Sequence, residues 1–457
     1  MFTRPVMGLA ILSFCAHAQT ALSAGITAQI DASVKRILDT TGVPSASIAI
    51  VKDGQIAYVE AYGKARLSPL TEARPEMRYS IGSISKQFTA AAILLLIEDG
   101  KLSLDDPVSK FLPDLTRARE ITVRMLLSHT SGYQDYWPED YVMTSMLQPA
   151  TVEDILSRWA RKPLDFDPGT KWQYSNTNYV IAGRIAEIAG GKPLLDQLKE
   201  RIFKPLNMIS VYNIDASRLP STDSSGYYRH ALGPLHPAPK EGAGWLFAAG
   251  ELAMSAHDLA LWNISMMHRT LMKPQSYEEM WKDVKLKNGK ETGYGLGVSV
   301  GERNKHRFIS HSGEVSGFVA DNTVFSDDKA AITVLTNQDA SPAASAIAAE
   351  LRPTVIGRSK EEERALSILT GLQKGQLDRS QLTEFCNAYF TAEAVEDFAG
   401  SLKGLGNPIS FQQGGEEHRG GMIFRIFRAE FPDRRLTVTT YEMPDGKLEQ
   451  FLVIPSR

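Results

Sequence analysis

The spacing of apolar residues divides the chain into stretches of different period. Ile26, Ile30, Val34 and Ile37/Leu38 recur at helical spacing and stop at Thr41-Gly42-Val43-Pro44, which predicts an amphipathic helix closed by glycine and proline. Two β-rich runs follow, Ala46–Lys52 and Gln55–Tyr62, joined by Asp53-Gly54. Asp-Gly between alternating apolar residues signals a hairpin, because both central residues of a type I′ turn need positive φ. Next comes an almost unbroken apolar run from Phe88 to Ile97, ended by Glu98-Asp99-Gly100. A stretch apolar on every side and stopped by glycine predicts a buried helix. Residues 101–290 read mainly as helices and loops, punctuated at Asp105-Asp106-Pro107, Asp167-Pro168-Gly169 and Ala231–Gly244. Strand patterns return at Gly293–Val300, Lys305–His311, Gly317–Phe325 and Ala330–Thr336, and the Ala-rich Ala340–Leu351 reads as a closing helix.

Strands at both ends of this region with helices between predict one α/β (α+β) domain. The terminal strands complete a single antiparallel sheet, and the middle is inserted as a helical lobe. Composition turns polar and charged over Pro353–Glu363, where a domain boundary is placed. Beyond it, helical patterns to Leu402 and strand patterns at Met422–Phe431, Arg435–Met443 and Lys447–Pro455 predict a small C-terminal α+β domain. The expected division is therefore 1–24, 25–355 and 356–457.

Composition narrows the function. A formal net charge of −3 with no Lys/Arg run argues against nucleic-acid binding. The first residues stand apart: Arg4, apolar Val6–Ala16, then small residues at Ala16-His17-Ala18 and Leu22-Ser23-Ala24. That is the pattern of a secretory signal peptide over residues 1–24, so a periplasmic or secreted bacterial location is expected. The apolar stretch is too short for a bilayer and none later is long enough, so no membrane span is expected. Without the leader Cys386 is the sole thiol, which excludes an intrachain disulfide. Its helical neighbours Leu382, Phe385 and Tyr389 predict a packed core position. HExxH and Cys/His clusters are absent from the sequence, so neither a metal nor a cofactor is expected. Oligomeric state is left open.

Candidate chemistry begins just before the buried run, at Ser83-Ile84-Ser85-Lys86. On a helix, residues three apart share a face, so the Ser83 hydroxyl and the Lys86 amine can meet. The helix N-terminus adds free N–H groups and the positive end of the dipole, which favour a nucleophile whose products are anionic. A buried lysine can lose its proton near neutral pH and act as a base. Ser326-Asp327-Asp328-Lys329 repeats the spacing, but it lies between strand runs among acidic turn residues and reads as a hairpin turn. Gly297-Val298-Ser299-Val300-Gly301 fits the G-x-S-x-G elbow of α/β-hydrolases. That elbow needs a helix after the serine; here a polar hairpin follows, so Ser299 reads as a strand residue.

Two further stretches place polar groups near element ends. Tyr174-Ser175-Asn176 stands before an amphipathic helix from Tyr179 to Ile188, and its tyrosine and asparagine project in related directions when extended. His311-Ser312-Gly313 closes a strand ahead of Gly317-Phe318. In this order and at these separations, S-x-x-K, Y-x-N and H-x-G resemble the serine β-lactamase and penicillin-binding-protein superfamily. The fit is to its class C-like branch, which holds DD-carboxypeptidases, D-aminopeptidases, class C β-lactamases and family VIII esterases. Leu126-Leu127-Ser128-His129-Thr130-Ser131-Gly132 and Gly242–Leu261, with Ala249-Gly250 and Asp258-Leu259, match the branch's phrasing, and the resemblance covers roughly residues 28–350.

The resemblance implies the β-lactamase/transpeptidase-like fold and a set of roles. Ser83 would be the nucleophile that forms an acyl-enzyme. Lys86 and Tyr174 would share the general-base role. Asn176 would donate to the substrate's amide oxygen or hold Lys86. The backbone N–H groups of Ser83 and Glu314 would form the oxyanion hole, and His311, Ser312 and Gly313 would line the substrate site. Class C β-lactamases begin the third motif with lysine. His311, mostly neutral near pH 7, anchors a carboxylate less firmly, which places a peptidase above a β-lactamase. The expected function is an exported serine hydrolase acting on D-amino-acid peptides, of DD-carboxypeptidase or D-aminopeptidase type, with a small-molecule or peptide substrate. A carboxylesterase or weak β-lactamase using the same residues is the alternative. From another class, the alternative is a non-catalytic penicillin-binding sensor or scaffold.

Overall fold

The computed structural model describes residues 22–303, 305–408, 410–431 and 434–456. The leader expected at 1–24 falls mostly outside them. Ser23 lies inside, and its hydroxyl caps the first helix, α1 (Ala24–Thr41), by accepting the Ile26 N–H. The hairpin forms as its Asp-Gly pair requires: β1 (Ser45–Lys52) and β2 (Gln55–Leu67) are joined at Asp53 and Gly54, both with positive φ. β2 runs further than its alternation suggests and pairs with a short β3 (Leu70–Glu72).

The inserted lobe is largely helical, with α2 (Ser85–Glu98), α3 (Asn176–Gly190) and α4 (Ala256–His268) as its main members. The chain then returns to the sheet through β4 (Ser299–Arg303), β5 (His306–Val315), β6 (Phe318–Phe325) and β7 (Ala330–Thr336), followed by α5 (Ala343–Ile356). The result is one seven-stranded antiparallel sheet in the order β3-β2-β1-β7-β6-β5-β4, in which Ile48 lies opposite Val334. The expected joining of both ends of the region in a single sheet is therefore observed.

Strand alternation gives each sheet face its own core. Ile48 and Ile50 of β1 with Ile332 and Val334 of β7 pack against α1 and α5. Ala49, Val51, Ala331 and Leu335 face the other way, into the lobe. At the centre of that second core α2 is buried from Ser85 to Leu96, as a helix apolar on all sides must be.

Two expectations need correction. No strand forms over Gly293–Val298: Gly293 and Gly297 take φ of +71° and +74°, and a Cβ on Gly297 would lie 2.8 Å from the Lys86 carbonyl oxygen. The chain bends to pass α2 there, and pairing begins only at Ser299, the start of an edge strand with no helix after it. β5 continues past His311 to Val315, so the third motif sits within a strand and not at its end. Cys386 is buried in the C-terminal core with Leu382, as expected, whereas Phe385 and Tyr389 of the same pattern are 80% and 53% exposed.

The C-terminal part carries helices Lys360–Gln373, Glu384–Tyr389 and Ala392–Leu402, then a four-stranded antiparallel sheet of Ser410–Arg419, Met422–Phe431, Arg434–Glu442 and Leu448–Pro455. The first of these strands was missed because Gln412-Gln413-Gly414-Gly415-Glu416 has no apolar alternation. Its core draws on residues from Ala365 onward, and neither core of the larger sheet reaches past Ile356. The ties between the two parts are polar: Gln412 Nε2 donates to the Ala349 carbonyl at 2.7 Å, and Arg36 meets Glu430 at 3.6 Å. Each such tie contributes about 1 kcal/mol or less. A fragment of residues 22–357 is accordingly expected to unfold in one cooperative thermal transition by calorimetry. A fragment without a cooperative transition would show that the C-terminal part completes the larger fold.

Candidate active site

Ser83 lies in a 3-10 turn, Gly82–Ile84, that runs straight into α2. The sequence placed it in the first turn of the helix; the tighter turn follows from Gly82, at φ +49°, where a Cβ would lie 2.7 Å from the Glu314 nitrogen. Gly313 answers from β5. A Cβ there would strike the Ile81 carbonyl oxygen and lie 3.2 Å from the Ser83 nitrogen. Glycine on both sides lets strand and turn meet backbone to backbone, which sets the Glu314 nitrogen against the turn that carries the Ser83 nitrogen. A pair of backbone donors is what a developing oxyanion requires.

The Lys86 amine is fully buried under Ser83. It lies 2.9 Å from Ser83 Oγ, 2.8 Å from Asn176 Oδ1 and 2.8 Å from the Ala249 carbonyl oxygen. Burial draws its pKa down to about 7, opposed only by the charge of Asp135. The partners then fix the proton positions. Asn176 Oδ1 and the Ala249 carbonyl can only accept, so both N–H groups of a neutral amine go to them. The remaining lone pair faces the Ser83 hydroxyl, the one partner able to donate. Asn176 is itself oriented by Asp135, which takes the Asn176 backbone N–H at 2.9 Å and its Nδ2 at 3.3 Å.

Tyr174 and His311 complete the floor. The Tyr174 hydroxyl is buried and makes no hydrogen bond of good geometry. Burial pushes the phenol's pKa up, partly offset by the Ser83 hydroxyl beside it. A buried hydroxyl without a settled partner, next to the Ser83 hydroxyl, is placed to pass a proton. Behind it, the buried His129 ring lies 4.3 Å from the Tyr174 ring and accepts the Ser175 N–H on Nδ1 at 3.2 Å. His311 is held by two bonds of opposite sense: its Nδ1–H donates to the Ser312 carbonyl and its Nε2 accepts from the Tyr294 hydroxyl at 2.8 Å. Burial, with the Lys86 charge adding to it, pushes the His311 pKa down to about 4. The ring is therefore neutral at pH 7, more firmly than its residue type alone implies.

Ser83, Tyr174, Asn176, His311, Ser312 and Glu314 all line one pocket of about 480 Å³, with Lys86 beneath it and Gly313 pressed to the turn. Among the described residues its wall holds no lysine or arginine, while Asp135, Glu139, Asp140, Glu314 and Asp339 all contribute to it. Sequence inspection missed Asp135, His129 as a packing partner, and Tyr294. Asp135 follows the flagged stretch ending at Gly132, but a lone aspartate in a loop carries no periodic signal. Ser299, by contrast, is not among the pocket's residues.

Comparison with known proteins bears on this geometry. Residues 30–353 match the beta-lactamase family. A D-aminopeptidase of Brucella anthropi is 28% identical over 349 residues, 74% of this chain and 64% of that protein. Penicillin-binding protein 4* of Bacillus subtilis (strain 168) is 28% identical over 308 residues, 64% of this chain and 68% of that protein. The chain thus spans about two-thirds of the length of these relatives. Among solved structures, a D-stereospecific amidohydrolase from Streptomyces sp. superposes with a TM-score of 0.61 at 26% identity over 70% of this chain and 96% of that one. The octameric penicillin-binding protein homologue from Pyrococcus abyssi, 22% identical, shares the fold at a TM-score of 0.65 over 94% of this chain and 98% of its own.

The glycine contact yields a direct test. Gly313→Ala is expected to slow fluorophosphonate labelling of the protein at least a hundredfold, because the added methyl group must push β5 off the Ser83 turn. Labelling at the unaltered rate would mean that the Glu314 N–H is not used.

Proposed function

The chain belongs to the beta-lactamase family, and from that membership we propose that it is a serine hydrolase that forms an acyl-enzyme at Ser83 and takes D-amino-acid peptides or amides with a free amino group. The bonding of the Lys86 amine carries this proposal, since it leaves one lone pair and aims it at Ser83. Neutral Lys86 takes the hydroxyl proton as Ser83 Oγ attacks the substrate carbonyl carbon, and the Ser83 and Glu314 N–H groups hold the oxyanion. When the carbon–nitrogen bond breaks, that proton returns through the Tyr174 hydroxyl to the leaving nitrogen. Water then attacks the acyl-enzyme, releases the acid and restores Ser83. In this scheme Tyr174 acts as a phenol relay rather than as a standing tyrosinate, consistent with burial raising its pKa while lowering that of Lys86.

The charge of the pocket favours the aminopeptidase or amidase type over the DD-carboxypeptidase type. Burial and the neighbouring Glu314 and Glu241 carboxylates push Asp339 up to about 6. A substrate ammonium among these groups would relieve the repulsion, whereas a carboxylate beside the scissile bond would add to it. The names of the Brucella anthropi and Streptomyces proteins support the same class. Export, read from the leader, is part of the proposal.

Mass-spectrometric mapping of fluorophosphonate adducts is the test. Label is expected on Ser83; Ser83→Ala is expected to abolish turnover of D-alaninamide at unchanged Tm, and Tyr174→Phe to lower kcat by roughly 10²–10⁴. Label on Ser299, or efficient turnover of p-nitrophenyl esters alone, would replace this activity with another.

The pH profile gives a second check. Asp339 gains its charge as pH rises through about 6 and Lys86 loses its proton through about 7. Below those values the pocket attracts an ammonium less and the base is occupied. kcat/KM for D-alaninamide should therefore climb across about pH 6–7, and a flat profile there would remove both assignments.

A further inference from the structure

Val315 and Ser316 form a wall common to the catalytic pocket and a second cavity of about 460 Å³. This cavity has the opposite polarity. Arg66, Arg218 and Lys240 line it, and Glu241 is its one carboxyl among the described residues. Arg66 and Lys240 are hydrogen-bonded to backbone carbonyls, and the Glu241 and Asp215 carboxylates act on Lys240 only through their charge. Arg66 donates to the Asp223 carbonyl oxygen at 3.3 Å, while the Asp223 carboxylate is taken by Arg78 at 2.6 and 3.0 Å. The Arg66 Nε is buried without an acceptor. Lys240 Nζ donates to the carbonyls of Asp215 and Glu241, at 3.4 and 2.9 Å. Glu241 accepts the Ser316 hydroxyl, and burial raises its pKa. Backbone carbonyls satisfy donors without neutralising them, so an anion entering here would meet two half-buried cations and an exposed one. Leu67, Ile214, Leu219 and Phe318 supply apolar wall for the stem that carries it.

The two pockets are also spaced for one ligand. Glu314 holds the oxyanion position, and Ser316, in the turn that follows β5, borders the second cavity two residues further along the chain, at most about 7 Å away. That is the span of one or two peptide units. We propose that the second cavity is a carboxylate subsite, so that the substrate is a short zwitterionic peptide with its amine against the acidic pocket and its carboxylate at Arg66 and Lys240. Calling the peptide a substrate rests on the hydrolase function proposed above; its binding does not.

Calorimetric titration of the full-length Ser83→Ala protein separates the two. The probes are tri-D-alanine, its C-terminal amide and its N-acetyl form. The free acid is expected to bind at least tenfold more tightly than the amide, and Arg66→Gln/Lys240→Gln to reduce that ratio below about twofold while the N-acetyl penalty stays. Equal affinity for acid and amide overturns the subsite, as does a preference that survives the double substitution. Arg218→Gln, at an exposed position, is expected to weaken the acid alone at least threefold, and keeps the test open should the double variant not fold. Failure of the hydrolase function shows differently, as an unlabelled Ser83 in the unaltered protein with the acid–amide preference intact.

Discussion

A primary amine held in a dry cavity between two oxygens that can only accept is the constraint on which the site depends. Lowering the Lys86 pKa from 10.5 to about 7 costs the fold on the order of 4–5 kcal/mol at neutral pH. The sign is that of a depressed lysine: between those values the unfolded chain binds more protons, so this contribution grows more favourable as pH rises through the window. A helix buried on all sides is what can hold such a group. α2 has no solvent face into which the Lys86 side chain could swing, and Asn176 and the Ala249 carbonyl close the remaining directions. The energy stored in that burial is what brings the amine's pKa down to about 7.

Much of this was legible in the chain. The Ser83–Lys86 spacing, the apolar run behind it and the Asp53-Gly54 hairpin are local signals, set by helix period and turn chemistry, and each is found where expected. Y-x-N and H-x-G were legible only as an ordered set, because neither has a local pattern stronger than an ordinary cap or strand end. What stayed hidden is what the tertiary approach decides. Gly293 and Gly297 break a strand that alternation favoured, since the chain must clear the Lys86 backbone. Asp135 and Tyr294 act through partners more than forty residues away or more than ten, and no periodicity records such pairs. The cations of the second cavity come from separate segments, so no charge run announced them.

The substitution of histidine in the third motif takes on a clearer physical meaning once His311 is seen bonded on both nitrogens. One bond donates and one accepts, which commits the ring to the neutral form and to a single tautomer. His311 therefore offers hydrogen bonds without charge. Charge on the wall of the first pocket is left to its carboxylates, and arginine and lysine line the neighbouring cavity instead.

The pairing of Ile48 with Val334 has a consequence for how the protein comes into being. Until the returning strands pair, the β1–β2 hairpin keeps an unpaired edge, and a contact of such sequence separation is slow to close. Ser83 and Lys86 are made early, yet the strand that supplies Glu314 and the sheet that holds it arrive late. The pocket around Ser83 is therefore complete only once the returning strands of the sheet have docked.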